Sequence, residues 1–309
     1  MNILVIGANG QLGHQLCLTL ATLGHVKALT RDDLDLSSPL EVMVRLHQLA
    51  QTFIPDVVIN SAAYTAVDKA ESEPALALAV NAQSVAEIAK FAAHQRATLV
   101  HYSTDYVFDG FGHTPWREDD VPHPLSVYGQ SKWQGEQAVM LHCPKHLIFR
   151  TSWVVGTHGG NFLKTMLRLA AERDQLRVVA DQVGVPTSTE LLAKATGNAL
   201  TRLVANANAN ANEADTRWGI YHLAASGETN WCDYARYLVA GALQRGAKLK
   251  TQPEAIEAIT TAQYPLPAPR PLNSRLNTEK FQTTFQMQLA DWREGVDHIL
   301  DQLIQRPQP

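Results

Sequence analysis

The stretch that decides the fold is residues 2–13, NILVIGANGQLG. It opens with an apolar run without alternation, which is typical of a strand buried on both faces of a sheet. The three glycines that follow, Gly7, Gly10 and Gly13, stand between this strand and a stretch whose apolar residues have helical spacing. Glycine allows a tight turn and a close approach of the backbone to a bound group. The stretch therefore predicts a strand, a glycine-rich turn and a helix in direct succession.

The same alternation continues through the first half of the chain and predicts βαβ units in a mostly parallel sheet. The predicted strands are residues 2–7, 25–30, 55–62, 97–104 and 146–152. The predicted helices are residues 11–24, 38–53, 73–95 and 126–140. After about residue 155 the pattern weakens to helices, short strands and a Pro-rich tail. The low-complexity run ANANANAN, residues 205–212, is predicted to be a solvated loop or a frayed helix end.

Composition and charge narrow the class of protein. The chain has 309 residues and a net charge of -4, so it lacks the basic footprint of a nucleic-acid-binding protein. No apolar stretch approaches membrane-spanning length, and no basic segment marks a signal peptide. The twelve histidines show no metal-ligand spacing, so we expect no catalytic metal. Three isolated cysteines, Cys17, Cys143 and Cys232, suit reduced thiols. We expect a cytoplasmic protein with no nucleic-acid or membrane partner.

The glycine-rich turn is the first candidate site. The helix that follows it offers free N–H groups and a positive dipole, which favour a pyrophosphate. Its spacing, Gly7-x-x-Gly10-x-x-Gly13, differs by one residue from the G-x-G-x-x-G fingerprint of dinucleotide-binding folds. The same glycines also suit an ordinary strand–helix turn. The turn predicts a dinucleotide site if other motifs lie at the same edge of the sheet.

The end of the second predicted strand bears on the choice of cofactor. An acidic residue there would hold the ribose 2′-hydroxyl of NAD, whereas an arginine suits the 2′-phosphate of NADP. Here the strand ends with Thr30 and Arg31, and Asp32 and Asp33 follow. We predict a preference for NADPH through Arg31, with NADH also usable. The alternative is that Arg31 only pairs with these carboxylates in a solvated loop.

Tyr128 and Lys132 lie four residues apart in a predicted helix and therefore share one face. The ammonium is expected to lower the pKa of Tyr128 toward working pH, which makes the phenol a proton donor to a carbonyl that receives hydride. Ser103 and Thr104 end the fourth predicted strand and can offer a hydroxyl to the same oxygen. Because ligands of such sheets lie beyond the carboxyl ends of the strands, these groups are predicted to face the glycine-rich turn.

The order of these motifs resembles that of the short-chain dehydrogenase/reductase superfamily, in its extended sugar-nucleotide branch. Longer segments are similar to the dTDP-4-dehydrorhamnose reductase family over nearly the whole chain. These segments are NSAAYTAVDKAESEP (60–74), HYSTDYVFDG (101–110), VYGQSKWQGE (127–136), LIFRTSWV (147–154), NFLKTMLRLA (161–170), DQVGVPT (181–187), YHLAASGETNW (221–231) and RPLNSRLNTEKF (270–281).

The resemblance implies two domains and a reaction. Residues 1–155, with further elements from about 176–205, would form a Rossmann-type doubly wound parallel sheet that binds the cofactor. Residues 156–309 would form a smaller C-terminal α/β domain that mainly binds a sugar nucleotide. Reduced nicotinamide would pass hydride to the C4 ketone of dTDP-4-dehydro-L-rhamnose and give dTDP-L-rhamnose. The sequence leaves the oligomeric state open, a homodimer included.

The resemblance also assigns roles to residues. Tyr128 matches the proton donor, Lys132 the residue that binds the nicotinamide ribose, and Thr104 the catalytic hydroxyl residue. The glycine turn, the second strand and the resemblance together predict these further cofactor contacts: Gly7, Gly10, Gln11, Leu12, Gly13, Arg31, Asp35, Leu36, Ala62, Ala63, Tyr64, Thr65 and Tyr102. The implied substrate contacts are Thr104, Asp105 and Trp153. Either Arg270 or Arg275 could bind a diphosphate bidentately, with Arg275 the predicted contact, and Asn161 and Arg168 are further predicted substrate contacts.

Two departures from the family pattern bear on these expectations. Members of the family carry an acidic residue at the end of the second strand, where this chain has Thr30, and this favours NADPH. Some members bind magnesium between subunits through carboxylates, one of them on the first helix. This chain has Gln15 there, which argues against a magnesium-bridged dimer even though Glu190 is present.

Two other functions fit the same fold. A sugar-nucleotide epimerase or dehydratase would keep its NAD bound, but a dehydratase usually has an acid pair after the catalytic hydroxyl, and here Tyr106 follows Asp105. A non-catalytic regulatory subunit could lose the phenol or the ammonium, and this chain retains both.

Overall fold

The architecture comes from a computed structural model that describes residues 1–209 and 217–304. Its strands are β1 (Asn2–Ile6), β2 (His25–Leu29), β3 (Val57–Asn60), β4 (Thr98–Thr104), β5 (His146–Thr151), β6 (Val154–Val155), β7 (Leu176–Val179), β8 (Val183–Gly184), β9 (Thr187–Ser188), β10 (Gly219–His222), β11 (Thr229–Asn230) and β12 (Ile256–Ile259). Its helices are α1 (Gln11–Leu20), α2 (Pro39–Leu49), α3 (Val67–Ser72), α4 (Pro74–Leu78), α5 (Ser84–His94), α6 (Val127–His142), α7 (Phe162–Glu172), α8 (Thr189–Ala209), α9 (Trp231–Gln244), α10 (Glu279–Phe285) and α11 (Trp292–Ile304).

The central sheet explains why its apolar runs are continuous. It has six parallel strands in the order β10-β5-β4-β3-β1-β2. Along β1, Ile3 and Val5 pack into the core on one face of the sheet, and Leu4 and Ile6 pack into the core on the other. A strand covered on both faces needs apolar side chains at every position. The predicted Rossmann-type α/β fold is confirmed.

The strand order reverses between β1 and β3, and this reversal positions the site. From β1 the chain passes outward to β2, and then returns to build β3, β4 and β5 on the opposite side. Loops that leave two neighbouring strands in opposite directions open a crevice at the carboxyl edge of the sheet. Here the glycine-rich turn follows β1, and residues 61–65 follow β3.

The second half of the chain completes this sheet and builds another core. β10 pairs with β5 at the sheet edge, and α8 packs against α1. A separate apolar cluster lies among α7, α9, α11 and β7, with Leu163, Leu238 and Leu300 fully buried. The segment that rejoins the sheet therefore extends past the predicted residues 176–205 to His222. The division into two domains near residue 155 stays a prediction.

The predicted helix of residues 73–95 is interrupted. It consists of α4, a π-helical turn at Ala79–Gln83, and α5. Within the turn, the Asn81 side chain accepts a hydrogen bond from the backbone N–H of Tyr64 (2.8 Å) and donates to the Tyr64 carbonyl oxygen and to Ser131 Oγ (3.0 Å each). Such π-helical turns are frequent at functional sites. This one ties the loop after β3 to α6.

Three further predictions concern the low-complexity run, membrane spans and metal ligands. Helix α8 reaches Ala209, and the rest of the predicted loop or frayed end at 205–212 lies outside the described residues. Within the described ranges, no helix combines the length and apolar character needed to cross a membrane. The same ranges contain no group of three His, Cys, Asp or Glu side chains that could hold a metal ion. Glu190 instead pairs with Lys194 and His298 (2.7 and 3.1 Å).

Candidate active site

A cavity of about 800 Å³ lies at the carboxyl edge of the sheet, over the crevice between β1 and β3. Its wall contains the glycine-rich turn, the loop after β3, the end of β4 and the first turns of α6. The structure thus places the glycine turn and the Tyr128–Lys132 pair, which are more than a hundred residues apart in sequence, in one cavity.

The glycine-rich turn lies tightly against its neighbours. Gly7 has a φ of +84°, and a Cβ there would lie 2.7 Å from the backbone nitrogen of Ala62. A Cβ on Gly13 would lie 2.0 Å from the carbonyl oxygen of Gly7, so this glycine lets α1 pack onto the turn. In the described structure α1 has neither a side-chain cap nor an acidic residue in its first turn. Its N-terminal N–H groups can therefore receive an anion.

The loop after β2 leaves the Arg31 guanidinium exposed and holds the carboxylate of Asp33 in hydrogen bonds to Thr30. Asp33 accepts hydrogen bonds from both the backbone N–H and the hydroxyl of Thr30 (2.9 and 2.8 Å). Arg31 lines the cavity with its side chain 73% exposed, at 3.6 Å from Asp35. A contact that long between exposed groups is weak. An arginine in this setting suits a 2′-phosphate better than a free 2′-hydroxyl.

Helix α6 begins at the cavity because Ser126 caps it, with its Oγ accepting from Gly129 N–H (3.1 Å). A Cβ on Gly129 would lie 2.2 Å from the carbonyl oxygen of Tyr106, so this glycine allows α6 to approach the turn after β4. Tyr128 meets the Tyr106 ring edge-on at 5.4 Å. One helical turn on, buried Lys132 donates to the carbonyl oxygen of Tyr102 (2.7 Å).

Burial changes both pKa values in the pair. It raises the pKa of Tyr128 to about 12, against a smaller lowering by contact with Thr104. It lowers the pKa of Lys132 to about 8, with Glu136 acting in the opposite direction. The expectation that Lys132 lowers the Tyr128 pKa is therefore wrong for the protein alone, because desolvation outweighs any effect of the ammonium. The consequence is a phenol that stays protonated at neutral pH.

Asp105 is a buried acid beside this pair. Burial raises its pKa to about 6, and polar contacts with Ser274 and Thr104 partly oppose that shift. The Thr104 hydroxyl donates to Asp105 Oδ1 (3.1 Å) and accepts from the backbone N–H of Tyr106 (3.2 Å). These bonds fix the Thr104 side chain at the cavity wall.

Two hydroxyls in the wall fit a polar ligand. Ser103 Oγ and Thr151 Oγ1 are buried and have no hydrogen-bond partner among the described residues. Unsatisfied buried polar groups are costly, so such groups at a cavity point to a ligand that completes them. With the free N-terminus of α1, they make the cavity chemically suited to a dinucleotide and a hydroxylated substrate.

A second cavity of about 1420 Å³ lies among α7, α9 and β12, and Tyr106 and Trp231 line both cavities. Its wall contains aromatic and apolar side chains together with guanidinium groups, among them that of Arg270. Arg270 pairs with Asp68 (2.7 Å).

The structure brings most of the predicted site residues together. Those that line the first cavity are Gly7, Gly10, Gln11, Leu12, Arg31, Asp35, Leu36, Ala62, Ala63, Tyr64, Thr65, Tyr102, Thr104, Asp105, Tyr128, Lys132 and Trp153. Their roles in binding and catalysis stay predictions.

Four predicted residues line neither cavity. Gly13 acts through packing, as described above. Asn161 caps α7 and donates to Gln11 Oε1 (2.9 Å), Arg168 pairs with Glu172 on the exposed face of α7, and Arg275 pairs with Glu228 (2.6 Å). Asn161, Arg168 and Arg275 stay predicted substrate contacts, without support from the lining of either cavity.

Sequence reasoning missed several lining residues. Gly159 and Gly160 carried a usable signal, because paired glycines mark a close backbone approach. Tyr106 lies two residues after Thr104, the predicted catalytic hydroxyl residue. Trp231 carried no local signal, since the start of α9 reaches the cavity only through tertiary packing.

Comparisons with known proteins agree with this geometry. A family model described as the RmlD substrate binding domain matches residues 1–305. The chain is 48% identical to a dTDP-4-dehydrorhamnose reductase of Shigella flexneri and 47% identical to one of Escherichia coli K12, each over 303 residues and 98% of both chains. A crystal structure of dTDP-4-dehydrorhamnose reductase from Bacillus anthracis in complex with NADP has a TM-score of 0.85 at 31% identity, covering 97% of this chain and 99% of that chain. The resemblance inferred from the motifs is confirmed: the chain belongs to the dTDP-4-dehydrorhamnose reductase family.

Proposed function

We propose that the protein reduces the C4 ketone of dTDP-4-dehydro-L-rhamnose with NADPH and so forms dTDP-L-rhamnose, a precursor of cell-surface polysaccharide. The observation that carries the proposal is the meeting of Thr104, Tyr128 and Lys132 with the glycine-rich turn in one cavity. The names of the relatives and the NADP bound to the Bacillus anthracis enzyme support it.

The residues of the first cavity fit NADPH. The N-terminus of α1 and the turn at Gly10 would receive the pyrophosphate, and Arg31 the 2′-phosphate. Lys132 would bind the nicotinamide ribose. When bound, the reduced nicotinamide supplies the hydride. NADH remains usable, because the charge contributed by exposed Arg31 is only one part of the binding site.

Tyr128 supplies the proton that completes the reduction. As hydride reaches C4, the carbonyl oxygen gains negative charge, and a protonated phenol within reach donates to it. The raised pKa of Tyr128 keeps the donating form present at neutral pH. Thr104, whose hydroxyl is fixed by Asp105 and Tyr106, is placed to hydrogen-bond the same oxygen. The nearby ammonium of Lys132 favours the phenolate that remains.

The second cavity gives the rest of a sugar nucleotide a place to lie. Its wall offers apolar and aromatic surface with guanidinium groups, a combination that suits a base and a diphosphate. It joins the first cavity at Tyr106 and Trp231, so one extended substrate can reach from this wall to Tyr128. We infer that the second half of the chain mainly binds the substrate. We further propose that the enzyme acts in the cytoplasm, with a homodimer as one candidate assembly.

The test is the loss of NADPH absorbance with purified protein and enzymatically generated dTDP-4-dehydro-L-rhamnose. Oxidation that depends on the sugar supports the reaction. If the folded protein binds NADPH but does not oxidise it at any concentration of the sugar, the result points instead to a regulatory subunit. Protein that purifies with bound nicotinamide and interconverts sugars without net oxidation points to an epimerase.

A further inference from the structure

The backbone of Trp153 is held in an unusual conformation. This residue lies between β5 and β6 with a φ of 45°, in the left-handed region that residues with a side chain seldom occupy. Such a conformation costs free energy and persists only where the surrounding structure imposes it. Here Trp153 lines the first cavity, and its carbonyl oxygen accepts a hydrogen bond from Thr187 N–H (3.2 Å).

The indole of Trp153 is confined by two neighbours. The Trp231 ring stacks on it with centroids 3.6 Å apart and planes at 17°. Gly184 approaches so closely that a Cβ there would lie 2.8 Å from a Trp153 ring carbon. These neighbours arrive together because β8, which ends at Gly184, pairs with β11, which leads directly into Trp231.

Trp231 is itself anchored. Its Nε1–H donates to Gln182 Oε1 (3.1 Å), and the Gln182 side chain donates in turn to Thr261 Oγ1 (3.1 Å). The Phe162 ring packs against Trp231 at 4.5 Å. The orientation of the Trp231 ring is therefore set by a directed hydrogen bond as well as by packing.

Trp231 also marks the junction of the two cavities. It lines both, whereas Trp153 lines only the one that holds Tyr128 and Lys132. A ligand that extends from the second cavity to Tyr128 must pass the stacked pair. An aromatic face suits the apolar face of a sugar ring, provided that the aromatic ring is held still.

We propose that Trp231 is a positioning residue: it holds in place the Trp153 indole of the first cavity, which the family resemblance predicts to contact the substrate. The inference rests on the proposed function for the identity of the sugar. Trp231 acts through Trp153 and not as a general part of the neighbouring apolar core.

The experiment compares Trp231→Leu, Trp231→Phe and Trp153→Phe with the control Trp292→Phe. Trp292 belongs to the same apolar cluster, is 3% exposed and lines neither cavity. Two indoles stacked this closely couple their transitions, so circular dichroism of the protein alone should show an exciton signal. We expect that signal to vanish in all the Trp231 and Trp153 variants and to persist in Trp292→Phe.

Kinetics supply the second readout. We expect Trp231→Leu to raise the KM for the sugar nucleotide about tenfold and to leave the KM for NADPH unchanged. Trp231→Phe, which keeps an aromatic face, should recover most of that loss. An unchanged sugar KM in Trp231→Leu, or an equal rise in Trp292→Phe, would overturn the inference. If wild type fails to turn the sugar over, the proposed function fails, and the inference is then judged by the exciton signal: its absence from wild type contradicts it.

Discussion

The two cavities differ in how well the local sequence predicts the residues that line them. Residues of the first cavity come mainly from loops that follow consecutive strands, and its glycine-rich turn lies within residues 2–13. The second cavity is assembled from distant segments, including Tyr106, Phe162, Trp231 and Arg270. The first kind of site is set by the periodicity of βαβ units, and the second only by tertiary packing.

This difference distinguishes the predicted catalytic groups of the first cavity from the predicted substrate-binding surface of the second. Strand ends of a parallel sheet necessarily meet at one edge, so catalytic groups placed there need little further support. The wall of the second cavity depends on its own contacts, such as the hydrogen bond from Trp231 to Gln182. Variants that affect one cavity and spare the other test this contrast.

The largest effect is expected at Tyr128 in the first cavity. Tyr128→Phe removes the proton donor, and a positioned general acid contributes roughly 10²- to 10⁴-fold to the rate. We expect kcat to fall by that factor while NADPH binding is retained, measured by steady-state kinetics and by fluorescence titration. Tyr106→Phe, in contact with Tyr128, is the matched control and should lose far less. Equal losses in the two variants would mean that Tyr128 is not the specific donor.

The next largest effect is expected from a change in the packing of the glycine-rich turn. Gly13→Ala would force a Cβ to 2.0 Å from the Gly7 carbonyl oxygen, whereas a Cβ on Gly160 has no neighbour within 4 Å. We expect Gly13→Ala to lower the free energy of unfolding by about 1–3 kcal/mol and to weaken cofactor binding. Gly160→Ala should leave that free energy unchanged. Chemical denaturation measures both, and a stable Gly13→Ala protein would show that the turn is less tightly packed than described.

Asp105 gives a pH-dependent effect. Its pKa is raised from 3.8 to about 6, so its contribution to stability is complete below pH 4 and is lost as pH rises through 6. Asp105→Asn keeps an accepting oxygen and removes the charge. We expect the variant to be more stable than wild type at pH 8, by at most about 3 kcal/mol, and equally stable below pH 4. Thermal unfolding across this range tests the sign, and a gain independent of pH would contradict the buried-charge explanation.

A smaller effect is expected on the preference for NADPH over NADH. Arg31→Ala removes the guanidinium expected to meet the 2′-phosphate, and we expect the KM for NADPH to rise about tenfold with that for NADH unchanged. Asp33→Ala serves as control, because Asp33 shapes the turn through Thr30 and should affect both cofactors alike. Equal effects of Arg31→Ala on both cofactors would return Arg31 to a role in the solvated loop.

The smallest effects are expected at two arginines that the family resemblance assigned to the substrate. Arg168→Ala and Arg275→Ala each remove an ion pair outside both cavities. Arg168 and Glu172 are both exposed, and Arg275 is largely buried but pairs with an exposed Glu228. Ion pairs with an exposed partner are screened by solvent, so kcat and both KM values should stay within about twofold of wild type. A large rise in the sugar KM for either variant would extend the substrate site beyond the second cavity.

Much of the fold could be predicted from local pattern. The first five strands of the sheet lie where apolar runs placed them, and α2 begins at Pro39 as expected. The sixth strand, β10, is one of the short strands expected after residue 155, but nothing in its four residues indicates pairing with β5, some seventy residues earlier. The π-helical turn escaped prediction because it accompanies hydrogen bonds between the Asn81 side chain and the distant residues Tyr64 and Ser131.

The candidate site likewise has features that sequence spacing predicts and features that only the folded structure reveals. Spacing placed Tyr128 and Lys132 on one helix face, but the sign of the Tyr128 pKa shift follows from burial, which spacing does not reveal. The stack of Trp153 on Trp231 depends on the pairing of two-residue strands. Strands that short have no periodicity to detect.

The most direct test of the central claim follows the transferred hydrogen. The protein is given NADPH deuterated at the transferable position of the nicotinamide together with dTDP-4-dehydro-L-rhamnose, and the product is examined by NMR and mass spectrometry. Our account predicts one deuterium at C4 of the sugar, with the new hydroxyl proton drawn from the protein and solvent. Product that carries no deuterium at C4, while NADPH is consumed, would contradict direct hydride delivery in the first cavity.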